Sequence, residues 1–122
     1  MAKFVVNNGL TQIANQMGAI AGALEMTHME VGTGTSAPTV ASTALSSASS
    51  PRVALTATVS GQVLTLEGFW TTAQVNGNIT EWGIFSALTG GTMLATGEFT
   101  TTFNKSSIET LLVTITITFA SA

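Results

Sequence analysis

Hydrophobic and polar positions alternate most regularly near the end of the chain. Over residues 111–119, Leu111, Val113, Ile115, Ile117 and Phe119 alternate with Leu112, Thr114, Thr116 and Thr118. A strand sends successive side chains to opposite faces, so this segment predicts a strand with one apolar face and one mostly threonine face. Its Thr, Val and Ile are β-branched and suit a pleated, half-buried setting better than a helix. The threonine face has no charge to guard an open edge, so the strand is expected to be central in its sheet or covered by a neighbouring subunit. Upstream, residues 79–85 and 93–103 predict two more strands joined through Thr89, Gly90 and Gly91. Residues 104–107 (Asn, Lys, Ser, Ser) break the pattern before the last strand.

The period differs at the start of the chain. Residues 2–6 predict an extended arm or edge strand, and Asn7 and Asn8 offer N-cap side chains to a helix. Leu10, Ile13, Ala14, Met17, Ile20, Ala21 and Leu24 recur three and four apart, the spacing of one helical face. Gly18 and Gly22 interrupt it, each costing about 1 kcal/mol relative to Ala. They are expected to allow close approach of another backbone, within the domain or across a subunit contact. Residues 26–31 predict a strand, followed by a turn through Gly32, Gly34 and Pro38, and residues 39–51 a long loop with Ala44 and Leu45 tucked inward. Residues 52–58 and 62–70 predict a hairpin turning at Ser60-Gly61, and Asn76, Gly77 and Asn78 a turn into the next strand. The whole of residues 1–122 is expected to be one antiparallel β-sandwich, jelly-roll-like, with an arm and short helix in residues 1–25.

Composition changes the picture in one respect. Hydrophobic residues make up 45% of the 122 residues but charged ones only 7%, against about a quarter in an ordinary soluble protein. The polar surface must come from Thr, Ser, Asn and Gln, which lose water at less cost than Lys or Glu. Such a surface suits a protein packed against other chains. With a net charge of −3 and only Lys3, Arg52 and Lys105 as full cations, the chain lacks the clustered positive charge of a nucleic-acid binder. It has no cysteine, which excludes disulfides and thiol chemistry and fits synthesis in a reducing cytoplasm. No apolar run approaches the roughly 20 residues of a membrane span, so no membrane partner is expected.

Candidate chemistry is sparse. His28 is the sole histidine and there is no aspartate, so a serine triad would need Glu30 as its orienting acid. No nucleophile motif accompanies them. Gly32 and Gly34 follow a strand, but no Lys-Ser or Lys-Thr completes a phosphate loop. A carboxylate pair for glycoside chemistry would draw on Glu67, Glu81 and Glu98, with Trp70 and Trp82 as the available aromatic platforms. The tryptophans read more simply as core or interface anchors. No ligand spacing supports a metal site. No catalytic, cofactor-binding or metal-binding residue is therefore assigned, and no cofactor is expected.

One set of motifs, taken in order, bears a resemblance. Residues 27–34 (Thr-His-Met-Glu-Val-Gly-Thr-Gly), then Ala37-Pro38 and Thr43-Ala44-Leu45, resemble the opening domain of the tail-collar fibre proteins of tailed bacteriophages. Gly9-Leu10 and the helix after it match the family's Gly-Leu start of an Ala-rich helix. Residues 79–85 (Ile-Thr-Glu-Trp-Gly-Ile-Phe) and 90–95 (Gly-Gly-Thr-Met-Leu-Ala) resemble its second signature, and Lys105 stands where a lysine precedes the last strand. Ser50-Pro51 departs from the charge that often precedes the Arg of the middle strand. The sequence given ends at Ala122, where such fibres continue into a shaft, so the receptor-binding role is not expected of it. The resemblance implies a virion protein made in the host bacterial cytoplasm. Its expected partners are other virion proteins, either the major capsid protein or tail and neck proteins, and further copies of itself. The leading expectation is a capsid decoration (cement) protein. A tail-fibre, collar or baseplate adaptor is the alternative, and a carbohydrate-binding surface module the alternative from another class. The candidate assembly contacts are Phe4, Gly18, Gly22, Trp70, Trp82, Thr114, Thr116 and Thr118.

Overall fold

The computed structural model describes residues 3–120. Eight strands and one helix follow in the order β1 (Lys3–Val5), α1 (Asn7–Met17), β2 (His28–Gly32), β3 (Ala48–Ala54), β4 (Thr56–Ser60), β5 (Val63–Trp70), β6 (Gly77–Phe85), β7 (Met93–Lys105) and β8 (Leu111–Thr118). They form two antiparallel sheets, one of five strands in the order β1-β7-β6-β2-β3 and one of three in the order β4-β5-β8. The protein is thus mainly β, a sandwich of two antiparallel sheets with one short N-terminal helix. Ala2, the first residue of the expected arm, lies outside the described residues.

The two sheets are joined covalently along one side. The chain leaves the large sheet at Ala54, passes Leu55 and enters the small sheet at Thr56. The segment expected as a single strand over residues 52–58 is therefore shared between two sheets. Its hairpin to β5 holds: Ser60 pairs with Val63, and Gly61 takes the positive φ of +59° that a two-residue turn needs. Strand β3 also occupies the last residues of the expected 39–51 loop. Within that loop Leu45 is half-buried against Val6, Phe85 and Met93, whereas Ala44 is exposed. The turn expected at residues 76–78 falls earlier, with Val75 at φ +48° and β6 starting at Gly77.

The main core lies between the sheets. Met29, Val31, Leu66, Trp70, Ile79 and Ile84 are fully buried there, and Leu64, Leu111, Ile115 and Ile117 pack on their flank. Trp70 donates its indole N–H to the Pro51 carbonyl at 2.9 Å, which satisfies its one polar atom in an apolar setting.

The helix is shorter than its apolar spacing predicts. It ends at Met17, and Leu10, Met17 and Ile20 of the expected buried face are exposed. Neither Asn7 nor Asn8 caps it; Val6 is the N-cap, with no side-chain bond, and the Asn7 N–H instead donates to the Val40 carbonyl at 2.7 Å. The far end is closed by a Schellman motif. The Ile20 N–H reaches the Asn15 carbonyl and the Ala19 N–H reaches the Gln16 carbonyl, with Ala19 at φ +51°. Gln12 and Gln16 then bind the backbone of Leu24, folding the segment back along the helix. Gly18 and Gly22 do not mark close backbone approach within the chain, contrary to expectation. Gly18 has only ordinary contacts, at 3.5 Å or more, and Gly22 is a turn glycine (φ +81°) with nothing near its missing side chain. The close approach belongs to Gly9, where a Cβ would collide with the Leu94 carbonyl of β7.

Candidate assembly surface

Few of the charges are available to the surface. Glu81 is buried, and its carboxylate accepts from the Gly34 and Ser47 N–H groups at 2.9 Å and from the Ser46 N–H and hydroxyl at 3.1 Å. Arg52 donates to Glu30 at 3.0 Å and to the Ala87 and Gly90 carbonyls, with its guanidinium carbon 3.6 Å from the centre of the Phe85 ring. Lys105, also buried, donates to Asn76 at 2.7 Å and to the Thr72 carbonyl. Each of these charges holds a loop: residues 34–47 at Glu81, the 86–92 turn at Arg52, and residues 72–76 at Lys105. Of the three cations only Lys3 is exposed. The outer surface is thus even poorer in charge than the composition.

The candidate catalytic residues do not converge. His28 shares a 2.8 Å hydrogen bond between its Nδ1 and the Thr27 hydroxyl, and Glu30 pairs with Arg52 rather than with the imidazole. Glu81 and Glu98 stand opposite each other in β6 and β7, but the Glu81 oxygens are committed to the 34–47 loop. Glu67 belongs to the other sheet. Trp70 and Trp82 are buried in the core, too little exposed to form a platform for a sugar, although Trp82 also borders the opening beside β8. Trp70, expected as an assembly contact, is therefore a core residue, and Trp82 is a core residue that reaches one opening. Among the described residues no group of three or more His, Cys, Asp or Glu side chains could hold a metal, and no helix is long and apolar enough to cross a membrane.

What the structure does assemble is the outer face of the small sheet. Pairing places Thr58, Thr65 and Thr116 on one rung across β4, β5 and β8, with Thr56, Glu67 and Thr114 on the next. Phe69 and Leu112 form a further pair, 52% and 60% exposed, so an exposed apolar pair adjoins the threonines. Glu67 is the single charge on this face. Thr114, Thr116 and Thr118 are all exposed. Their strand is not central, as one alternative had it; β8 forms the edge of its sheet. On the same side of the sandwich, Lys3, Phe4 and Val5 of β1, Trp82 of β6 and Ile115, Thr116 and Ile117 of β8 line a shallow opening of about 160 Å³. Phe4 and Thr116, predicted separately as contacts, are thereby brought together, whereas Gly18 and Gly22 sit in the exposed turn after α1.

Below β8, the Glu109 carboxylate accepts from the Ser106 N–H at 2.9 Å. Hydrogen bonding from Ser106, aided by the nearby Lys105 charge, holds its pKa below the ordinary carboxylate value. A second, apolar groove of about 320 Å³ lies between α1, Leu24 to Met26 and the small sheet. No family model, curated protein or solved structure matches the chain.

Proposed function

We propose that this chain is a non-enzymatic structural protein of a bacteriophage particle, most specifically a capsid decoration protein that binds the assembled shell in many copies. The observation that carries the assembly reading is the outer face and edge of the small sheet. It joins neutral hydroxyls to an exposed Phe69–Leu112 pair and holds a single carboxylate. A surface of that kind gives up its water at modest cost and gains by burying apolar area. The phage setting rests on the motif resemblance in residues 27–45 and 79–95. The same features serve a tail, collar or baseplate adaptor. The carbohydrate-binding reading loses its aromatic platforms to the core.

Quantitative mass spectrometry of purified particles tests the proposal. A copy number in the hundreds, matching the repeated sites of an icosahedral shell, is expected. A count of a few dozen or fewer moves the protein to the tail or neck. Its absence from purified particles would overturn the virion reading.

A further inference from the structure

We infer that the open edge of β8 pairs with β8 of a second copy of this chain, making a two-fold dimer in which the small sheets join into one continuous sheet. Four observations lead there. The first is which backbone groups are free. The Phe119 N–H donates to the Gln62 carbonyl at 2.9 Å, on the β5 side. Antiparallel strands alternate the direction of their hydrogen-bonding groups, so Ile117, Ile115 and Val113 also bond towards β5. Leu112, Thr114, Thr116 and Thr118 therefore aim their N–H and C=O groups outward, where no described strand meets them.

The second is the absence of any guard. Lysine, proline and inward charge are the usual protections of an edge strand. The large sheet has them: its edge strands carry Lys3 in β1 and Pro51 with Arg52 in β3. Strand β8 has none over its 8 residues. The third is self-complementarity. In an antiparallel pair centred on Ile115, Thr114 faces Thr116, Val113 faces Ile117 and Leu112 faces Thr118. On the outer face the hydroxyls of Thr114 and Thr116 meet and Leu112 lies beside Thr118, while aliphatic side chains meet on the inner one. The outward groups then fall into hydrogen-bonded positions and form roughly eight bonds. A register shifted by one residue would set Ile beside Thr on both faces.

The fourth is continuity. The two-fold keeps both inner faces on the same side, so the openings beside β8 face each other. Phe4, Ile115 and Ile117 of the two copies can meet in apolar contact, while Lys3, which also lines the opening, is exposed and can keep its ammonium in water. The other edge of this sheet, β4, has 5 residues and runs directly into the large sheet through Leu55, so it offers a shorter platform. Pairing of β8 with β4 of another copy would also propagate without closing, whereas the two-fold pair is closed. The inference deepens the assembly reading, but it is tested in solution and stands or falls apart from particle binding.

Sedimentation velocity on the full chain should give twice the 12.5 kDa chain mass. Thr116→Pro removes only an outward N–H and should yield a folded monomer. The chain has no cysteine, so Ile115→Cys reads pairing directly. On the two-fold, the residue meets its own copy in a non-hydrogen-bonded pair at about 4.5 Å between Cα atoms, within disulfide reach. Oxidation should link Ile115→Cys at least about tenfold faster than Val59→Cys on exposed β4. A monomeric wild-type chain, a dimer that survives Thr116→Pro, or equal linking at the two positions would each overturn the inference. The cysteine comparison decides the matter if Thr116→Pro fails to fold.

Discussion

Removing the Glu81 carboxylate should release the 34–47 loop while leaving the sandwich standing. The side chain is 5% exposed and accepts four hydrogen bonds, three of them from backbone N–H groups at Gly34, Ser46 and Ser47. A hydrogen bond to a charged group contributes about 1.5–3 kcal/mol, and a buried donor left unpaired costs about 1–3 kcal/mol. Ser46 and Ser47 are exposed, so water replaces part of what they lose, whereas Gly34 is half-buried. A net loss of about 2–4 kcal/mol for Glu81→Ala follows, a large share of the roughly 5–15 kcal/mol that holds a domain together. Glu81→Gln keeps the size but turns one oxygen into a donor facing donors, so it should lose about half as much. Urea denaturation gives the energies, and amide exchange locates them. Protection at Gly34, Ser46 and Ser47 should collapse while that of Ile84 and Leu66 persists. A loss below about 0.5 kcal/mol with unchanged protection at those three amides would refute the argument.

Other substitutions probe the helix and the loop anchors. Gly9→Ala should destabilise by about 1–3 kcal/mol because its Cβ meets the Leu94 backbone, whereas Gly18→Ala should be nearly neutral; thermal melts give the order. Ala19→Gly should stabilise by about 1 kcal/mol in denaturant titrations, since Ala19 occupies the left-handed cap position usually given to glycine. The Glu109 turn should respond to acid. Its folded pKa is lowered, so its contribution is present above the unfolded value and lost as pH falls through the folded one. NMR titration should show the Ser106 amide shift moving with Glu109 at a pH below the ordinary carboxylate range.

The alternating segments were legible because period-two patterns leave only the choice of face. Val113 and Ile115 turn inward and Thr114 and Thr116 outward, as the pattern of residues 111–119 predicts. What the pattern does not carry is strand order: nothing in β8 itself says that β5 alone would flank it. The helix misled because Ile20 and Leu24 keep its spacing after the backbone has turned at Ala19, where a Schellman motif formed without the glycine that signals one. The staple at Glu81 was invisible because its donors are backbone groups of Gly34, Ser46 and Ser47, far away in sequence. Exposed Phe69 likewise sits in an alternating run that leaves open which neighbour covers it.

The central claim is that the uncharged face and edge of β8 form the surface through which this protein assembles. The direct measurement is a competition in which tagged wild-type and Thr116→Lys proteins, mixed in equal amounts, are offered to particles and the bound ratio is read by mass spectrometry. Thr116 is exposed on an edge strand, so the lysine should change folding stability by no more than about 0.5 kcal/mol. It places a charge on a face that must lose its water to bind, so the variant should be nearly absent from the particles. Equal incorporation of a stably folded Thr116→Lys protein would contradict the claim.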